Sequence, residues 1–499
     1  MTHSVKPRSI GVEKVESRML FLSNMDISQW LIAHSLEITG YLLACVLVPK
    51  ILLEQRHPGA TIAWVLAIGL VPYVGVPLYF LIGGRRIRKI RQTKEWGREN
   101  NGPNPEPSAL TALTVENAQI ATLLERAGTS PPSRTHMTSI IDNGVQAYEA
   151  LVNLLKGGRK SIEIATFILG RDEVGDALLE LLAQKAREGL EVRLLLDGLG
   201  SLRARGRFVK PLLEAGGKVG VFLPLLALRR RWSANLRNHR KMAVVDGDQA
   251  FLGGMNLAKE YMGPRPFEHR WKDVAMIIEG PGARHVRGIF RQDWLFSTKD
   301  PFHSFVPGAV EGESIGEGCI LQVVGDGPDV PERPLYSGVL AALSRACESI
   351  WVVTPYFVPD DALSAALALA ARMGCDVRLI MPEKSNHPLV DLAGRSFLVE
   401  LVRNGVRFFS YQPGMLHAKL IAIDRRLAVV GSANMDIRSF QLNFEIATFL
   451  YDGESVGKVM EVMNNILKNC NEVGRDEIAR KTRLRRFSED ICRVFSPLF

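Results

Sequence analysis

The chain has 499 residues, 46% of them hydrophobic, and a formal net charge of +9. That length allows two to three domains, the composition is that of an ordinary globular protein, and the positive charge suits an anionic partner, either nucleic acid or acidic lipid. The six cysteines, Cys45, Cys319, Cys347, Cys375, Cys470 and Cys492, are scattered with no C-x-x-C pair, which argues against a zinc site or a disulfide framework and for a reducing compartment.

Residues 1–29 are polar and mixed in charge and read as a loose tail, without the basic start and cleavage site of a signal peptide. Residues 30–83 read as a membrane anchor of two apolar helices. The run 60–83 has no charged residue and is long enough to span a bilayer, with Trp64, Tyr73 and Tyr79 as interface anchors. The run 30–53 holds Glu37 and Lys50 toward its ends and Pro49 inside; a helical hairpin turning at 55–59 is expected, with a re-entrant or interfacial segment as the alternative. Residues 84–130 are a basic juxtamembrane segment and linker. Six basic residues between Arg85 and Lys94 place this side of the membrane in the cytoplasm and should attract anionic headgroups.

Beyond the linker the chain becomes α/β. In 131–305, a strand at 161–169, a helix at 173–188 and a strand at 191–197 are expected; in 306–474, a strand at 349–357, a helix at 361–372 and a strand at 376–382 repeat the order. Strand–helix–strand units imply a mixed or largely parallel sheet covered by helices. The Gly-, Pro- and Ser-rich stretch 302–318 separates the repeats.

Each repeat then carries the same motif. His239-Arg-Lys241-x4-Asp246 runs on to Gly253-Gly254-Met-Asn256, and His417-Ala-Lys419-x4-Asp424 runs on to Gly431-Ser432-Ala-Asn434, with identical gaps. A His and a Lys two apart on a strand share one face. Two copies face to face would place two imidazoles, two ammoniums and two Asn around one cavity at the interface of the repeats. Such a cavity suits a phosphodiester: the lysines, Asn256, Ser432, Asn434 and the turn donors can hold its oxygens. One histidine can attack phosphorus while the other protonates the leaving alkoxide and then deprotonates the acceptor. No metal or other cofactor is required, because the lysines supply positive charge. Asp246 and Asp424 complete the motif set, but they sit at the strand's end before a turn, where a structural role suits their carboxylates better than a chemical one. Asp273 and Glu445, downstream at strand-like positions, are candidate partners that would orient the imidazoles.

Two stretches stay open. The Leu- and Arg-rich run 225–237 with Trp232 fits either a lipid-facing loop or a solvated one. Residues 475–499 form a basic amphipathic segment, Leu484, Phe487, Ile491, Val494 and Leu498 recurring at helical spacing, which fits either the membrane or the catalytic body.

The paired H-x-K-x4-D motifs resemble the phospholipase D superfamily. The anchor (Ala63-Trp-Val-Leu, Val71-Pro-Tyr-Val-Gly), Trp271-Lys-Asp, Thr354-Pro-Tyr-Phe and the terminal Ser496-Pro-Leu narrow the resemblance to its bacterial cardiolipin synthases, over nearly the whole chain. The resemblance implies two tandem phospholipase D-like domains behind an N-terminal transmembrane hairpin. It implies a multi-pass protein of the bacterial inner membrane with catalytic domains on the cytoplasmic side. It implies transfer of a phosphatidyl group between two phosphatidylglycerols through a phosphohistidine, His239 being the nucleophile and His417 acid then base. Gly254 departs from the Ser of the general motif. The rivals are a phospholipase D hydrolase or another phosphatidyltransferase using the same residues, a nucleic-acid phosphodiesterase, against which the anchor and the lack of aromatic-studded basic grooves argue, and an inactive scaffold, against which two intact motifs argue.

Overall fold

The computed structural model describes residues 35–53, 58–79, 107–224, 236–300, 318–479, 489, 492 and 493. The expected tail 1–29, the basic cluster 85–94, nearly all of the Leu/Arg run at 225–237 and most of the inter-repeat stretch 302–318 lie outside these residues. The chain divides into a unit of residues 1–85 and a unit of residues 86–499.

In the first unit helices cover Ser35–Leu53, Pro58–Leu70 and Pro72–Leu78. The uninterrupted apolar run at 60–83 therefore does not become one long helix. Val71 leaves helical geometry ahead of Pro72, whose ring cannot continue the ladder. Among the described residues no helix is long and apolar enough to cross a membrane. Ala44, Leu47, Ile51, Ile68, Val76 and Tyr79 form a small core. Gly75 makes the close approach possible: a Cβ there would lie 2.3 Å from the Ala67 carbonyl oxygen. Tyr41, Leu42, Val46, Leu53, Leu66 and Leu70 remain exposed.

The second unit is built on one 16-stranded sheet. The first repeat supplies β1 (Ser133–Ile141), β2 (Ser161–Thr166), β3 (Glu191–Asp197), β4 (Lys218–Phe222), β5 (Arg237–Asn238), β6 (Met242–Val245), β7 (Gln249–Gly253) and β8 (Ala275–Glu279). The second supplies β9 (Cys319–Asp326), β10 (Ser349–Val353), β11 (Phe357–Val358), β12 (Asp376–Pro382), β13 (Arg407–Tyr411), β14 (Leu420–Ile423), β15 (Leu427–Gly431), β16 (Met435–Asp436), β17 (Asn443–Leu450) and β18 (Cys470–Val473). The order is β18-β13-β12-β10-β14-β15-β17-β9-β1-β8-β7-β6-β2-β3-β4, so β9 and β1 pair at the middle and each flank repeats the other in reverse. β11 and β16 form a separate two-stranded sheet.

Within each repeat three strands run parallel (β2-β3-β4 and β10-β12-β13), while the motif hairpin is antiparallel to the innermost. Parallel strands need crossovers, and the helices Glu173–Arg187 and Asp361–Arg372 provide them. Asp172 and Asp360 cap their N-termini by accepting backbone N–H bonds. The strands are covered on both faces, hence β2 is buried at all six positions. One face carries a core common to both repeats, with Phe290 and Trp294 of the helix Pro281–Thr298 and Val459 and Ile466 of Gly453–Leu467. Each repeat has its own core on the other face.

The described part of the C-terminal segment packs on the second repeat: Cys492 is buried in its core, and the Arg493 guanidinium lies 4.5 Å from the Phe397 ring centroid.

Candidate active site

The two motifs meet across the middle of the sheet. His239-Arg240-Lys241 and His417-Ala418-Lys419 do not lie on strands, as a period of two would have them. Each triplet precedes its strand, because the chain there crosses to the other repeat. β5, just before His239, pairs with the start of β17, and the His239 N–H donates to the Phe444 carbonyl at 2.9 Å. Leu416, just before His417, bridges to Lys272, and the His417 N–H donates to the Lys272 carbonyl at 2.7 Å. Phe444 and Lys272 immediately precede Glu445 and Asp273. The backbone crossing thus delivers each carboxylate to the histidine of the opposite repeat.

His417 Nδ1 stands 2.6 Å from Asp273 Oδ2, and His239 Nδ1 stands 3.1 Å from the Glu445 carboxylate and from the Ser432 carbonyl oxygen. An ionised carboxylate and a carbonyl only accept, so Nδ1 of His239 carries the hydrogen and Nε2 keeps its lone pair. Burial, with Lys241 and Lys419 nearby and Glu445 opposing, lowers the His239 pKa; burial and Lys419 lower that of His417 further. Burial drives the Lys241 pKa well down and brings Lys419 to about 8, despite Asp273 and Glu445. Burial raises Asp273 to about 6 against the pull of Lys419. Burial also works against ionised Glu445, but His239, Lys241 and Ser432 outweigh it and its pKa falls.

The rest of the expected set divides. Asp246 and Asp424 are not at the histidines. They sit at the far ends of β6 and β14, roughly 15 Å beyond the lysines at the rise of a strand. Asp246 accepts the backbone N–H groups of Arg159, Lys160 and Ser161; Asp424 accepts those of Cys347, Glu348 and Ser349. Both occupy left-handed backbone conformations at the hairpin turns, so their carboxylates tie each hairpin to the start of β2 or β10. Ser432 does not leave its hydroxyl free for a ligand either: it donates to Glu445 and accepts the Ile446 N–H at 3.0 Å. Asn256 Oδ1 accepts the Ile168 N–H at 3.1 Å. Asn434 is buried with its Oδ1 unpartnered among the described residues, leaving capacity for a ligand.

Several contacts carried no motif signal. Phe167 packs edge-on to His239, and Tyr261 and Trp271 flank His417, at centroid distances of 5.1, 5.1 and 5.4 Å. Asn443 Nδ2 donates to Glu445. Arg240, between the motif His and Lys, is buried and donates to the carbonyls of Glu445 and Asp326 and to Asp293. The repeat shows in the threonines beside this site, Thr166 at the end of β2 and Thr354 just after β10, which are equivalent. Each threonine hydroxyl bonds the carbonyl two residues on.

Residues 151–294 and 339–467 match the family described as "Cardiolipin synthase, PLD-like domain", and residues 41–84 match "Phospholipase_D-nuclease N-terminal". The chain is similar to Cardiolipin synthase 1 of Bacillus anthracis, 33% identical over 90% of this chain and 91% of that one. It is likewise similar to the Cardiolipin synthase of Geobacillus kaustophilus, 34% identical over 89% and 90%. Among solved structures the phosphatidylserine synthase of Haemophilus influenzae shares the fold, with a TM-score of 0.55 and 14% identity over 76% of this chain and 98% of that one. With both halves of its catalytic unit matched and relatives aligned along nine-tenths of its length, the chain belongs to the cardiolipin synthase family of phospholipase D-like proteins.

Proposed function

We propose that this protein transfers a phosphatidyl group from one phosphatidylglycerol to another, giving cardiolipin and glycerol. The observation that carries the reading is the crossed pair, in which each imidazole is held by a carboxylate of the opposite repeat and a lysine stands beside each. The names of the relatives support it.

The family pattern makes His239 the nucleophile. Its Nε2 attacks phosphorus, a P–N bond forms, and the P–O bond to the headgroup glycerol breaks. His417 gives that oxygen its proton. A bound phosphodiester anion between the lysines raises the imidazole's affinity for that proton. In the second half a hydroxyl of the acceptor lipid attacks phosphorus, His417 takes its proton, and the P–N bond breaks, returning its electron pair to His239. Lys241, Lys419, Asn256 and Asn434 stabilise the phosphoryl oxygens, while Asp273 and Glu445 hold the rings.

Residues 30–83 serve as the membrane anchor in this reading, on the bacterial inner membrane with the catalytic unit on the cytoplasmic side. The large apolar side chains left exposed on the helices of the first unit support this, since lipid would cover them. The basic run 85–94 supports the orientation.

The test is a product assay on the full chain in vesicles containing labelled phosphatidylglycerol. Cardiolipin with an equal amount of glycerol is expected. Phosphatidic acid as the sole product would mean that water is the acceptor, and the transferase reading would fall. A His417→Ala variant should accumulate label covalently on the protein, and a His239→Ala variant should not.

A further inference from the structure

The end of the sheet that carries His239 and His417 also carries an unusual rim. Four large apolar side chains stand out of it: Leu199 and Leu202 in the loop after β3, Phe267 between Asn256 and Trp271, and Leu389 at the start of the helix Pro388–Arg403 after β12. They are 44%, 50%, 38% and 55% exposed. Both repeats contribute. Isolated exposed apolar residues such as Leu213, Leu369 and Met373 occur elsewhere and need no explanation; at the rim they come from three segments at the histidine end of the sheet.

Their exposure does not come from loose backbone. The Leu199 loop is pinned at both sides. The N–H groups of Leu199 and Gly200 donate to Asp197, and Ser201 Oγ donates to the Phe167 carbonyl and accepts the Leu169 N–H. Phe167 in turn packs on His239, so this loop is fixed to the reaction centre. Phe267 follows Pro264-Arg-Pro266, whose rings restrict the backbone, and the Lys259 ammonium and the His269 ring lie 5.9 and 5.8 Å from its ring centroid. The same segments are basic: residues 199–207, 259–270 and 383–389 hold seven Lys and Arg against three Glu. Exposed Arg203, Arg207, Lys259, Arg265 and Lys384 lie among them.

Apolar tips set in a basic collar complement an anionic bilayer surface, where tips enter the acyl boundary and cations meet phosphates. We propose that this rim is a lipid-docking surface, pressed onto an anionic bilayer so that the cleft opens directly into lipid. The inference rests on the phosphatidyl-transfer reading and adds to it how substrate arrives: the lipid moves along the surface into the cleft, its acyl chains never crossing water.

The experiment compares two probes on the full chain: vesicles of long-chain phosphatidylglycerol, and dihexanoyl-phosphatidylglycerol below its micellar concentration. Leu202→Asp and Phe267→Asp should each lower cardiolipin formation on vesicles at least tenfold. They should leave formation of the short-chain product within twofold, which also shows that the variants fold. Leu369→Asp, on an exposed apolar residue of the helix Asp361–Arg372, should change neither. Unchanged vesicle activity in the rim variants, or equal loss on both probes, would overturn the docking role. An unsubstituted chain that makes no cardiolipin from either probe would instead overturn the transfer reading.

Discussion

Asp273 of the first repeat holds His417 of the second, Oδ2 to Nδ1 at 2.6 Å, and both groups are buried. Glu445 and His239 repeat the relation in the other direction. Neither repeat therefore owns a complete acid–base pair. The same crossing is written into the backbone, where the His N–H groups bond the carbonyls just before those carboxylates. A buried imidazole without its partner would lose both its ring orientation and its preferred tautomer.

Asp273→Asn should therefore act through His417, although the two lie in different repeats. The turnover of the single variant should fall by about 10²-fold or more, as when a carboxylate that fixes a catalytic tautomer is lost. Residues that act as one unit are not additive. Asp273→Asn combined with His417→Ala should hardly differ from His417→Ala alone. Additive losses in that double variant would sink the cross-repeat pairing.

Asp246→Ala and Asp424→Ala should chiefly weaken the fold. Each removes the acceptor for three backbone N–H groups and replaces a residue that tolerates left-handed geometry. A loss of about 1–3 kcal/mol each is expected, read as a lowered urea midpoint of the catalytic unit. Turnover at low temperature should stay close to that of the unsubstituted protein. A loss of turnover as deep as that of His239→Ala, without a stability change, would return these carboxylates to the chemistry.

These two aspartates also show what the sequence made legible. The duplicated gaps brought His239, Lys241, His417 and Lys419 to notice, and the turn position of Asp246 and Asp424 pointed to structure. The crossover helices were readable as helix-forming runs, Ala- and Leu-rich in the second repeat, set between strand-like stretches; their Asp172 and Asp360 caps appear in the structure. Which carboxylate serves which histidine was not readable, because it depends on a parallel pairing of β5 with β17, some two hundred residues apart, and two-residue strands have no pattern of their own. Arg240 was hidden for the same reason, since its acceptors Glu445 and Asp326 are carbonyls of the other repeat. The apolar run at 60–83 looked continuous because composition registers Pro72 as one residue in a window, whereas the backbone registers it as a break.

The motif positions Gly254 and Ser432 are equivalent but not interchangeable. Ser432 Oγ donates to Glu445 and helps to hold its pKa down. At Gly254 a Cβ would lie 2.1 Å from Asp273 Oδ1, which already accepts the Val274 N–H. Gly254→Ser should therefore displace Asp273 and lower turnover by about tenfold or more, the scale of losing an orienting partner. Ser432→Ala should release Glu445 from one of the donors that hold its carboxylate in place and lower turnover through His239, while the acid limb set by Asp273 stays where it is. Unchanged turnover in Ser432→Ala, with the protein folded, would separate Ser432 from the Glu445–His239 pair.

The pH dependence follows from two neighbouring groups of opposite charge, 4.0 Å apart. Asp273, at about 6, must be ionised to hold His417, and Lys419, at about 8, must be protonated to hold an anion. As pH falls through about 6 the carboxylate gains a proton and the rate drops. As pH rises through about 8 the ammonium loses one and the rate drops again. kcat/KM, which reports the free enzyme, should trace a bell between those values. Bound phosphodiester adds negative charge beside Lys419 and raises its pKa, so the alkaline limb of kcat should lie above that of kcat/KM. Lys419→Arg removes the group that titrates, because a guanidinium keeps its proton throughout this range. Its residual activity should lack the alkaline limb near 8. Persistence of that limb in Lys419→Arg would assign it to another group, and Lys241, whose pKa burial also drives down, would be the next to replace.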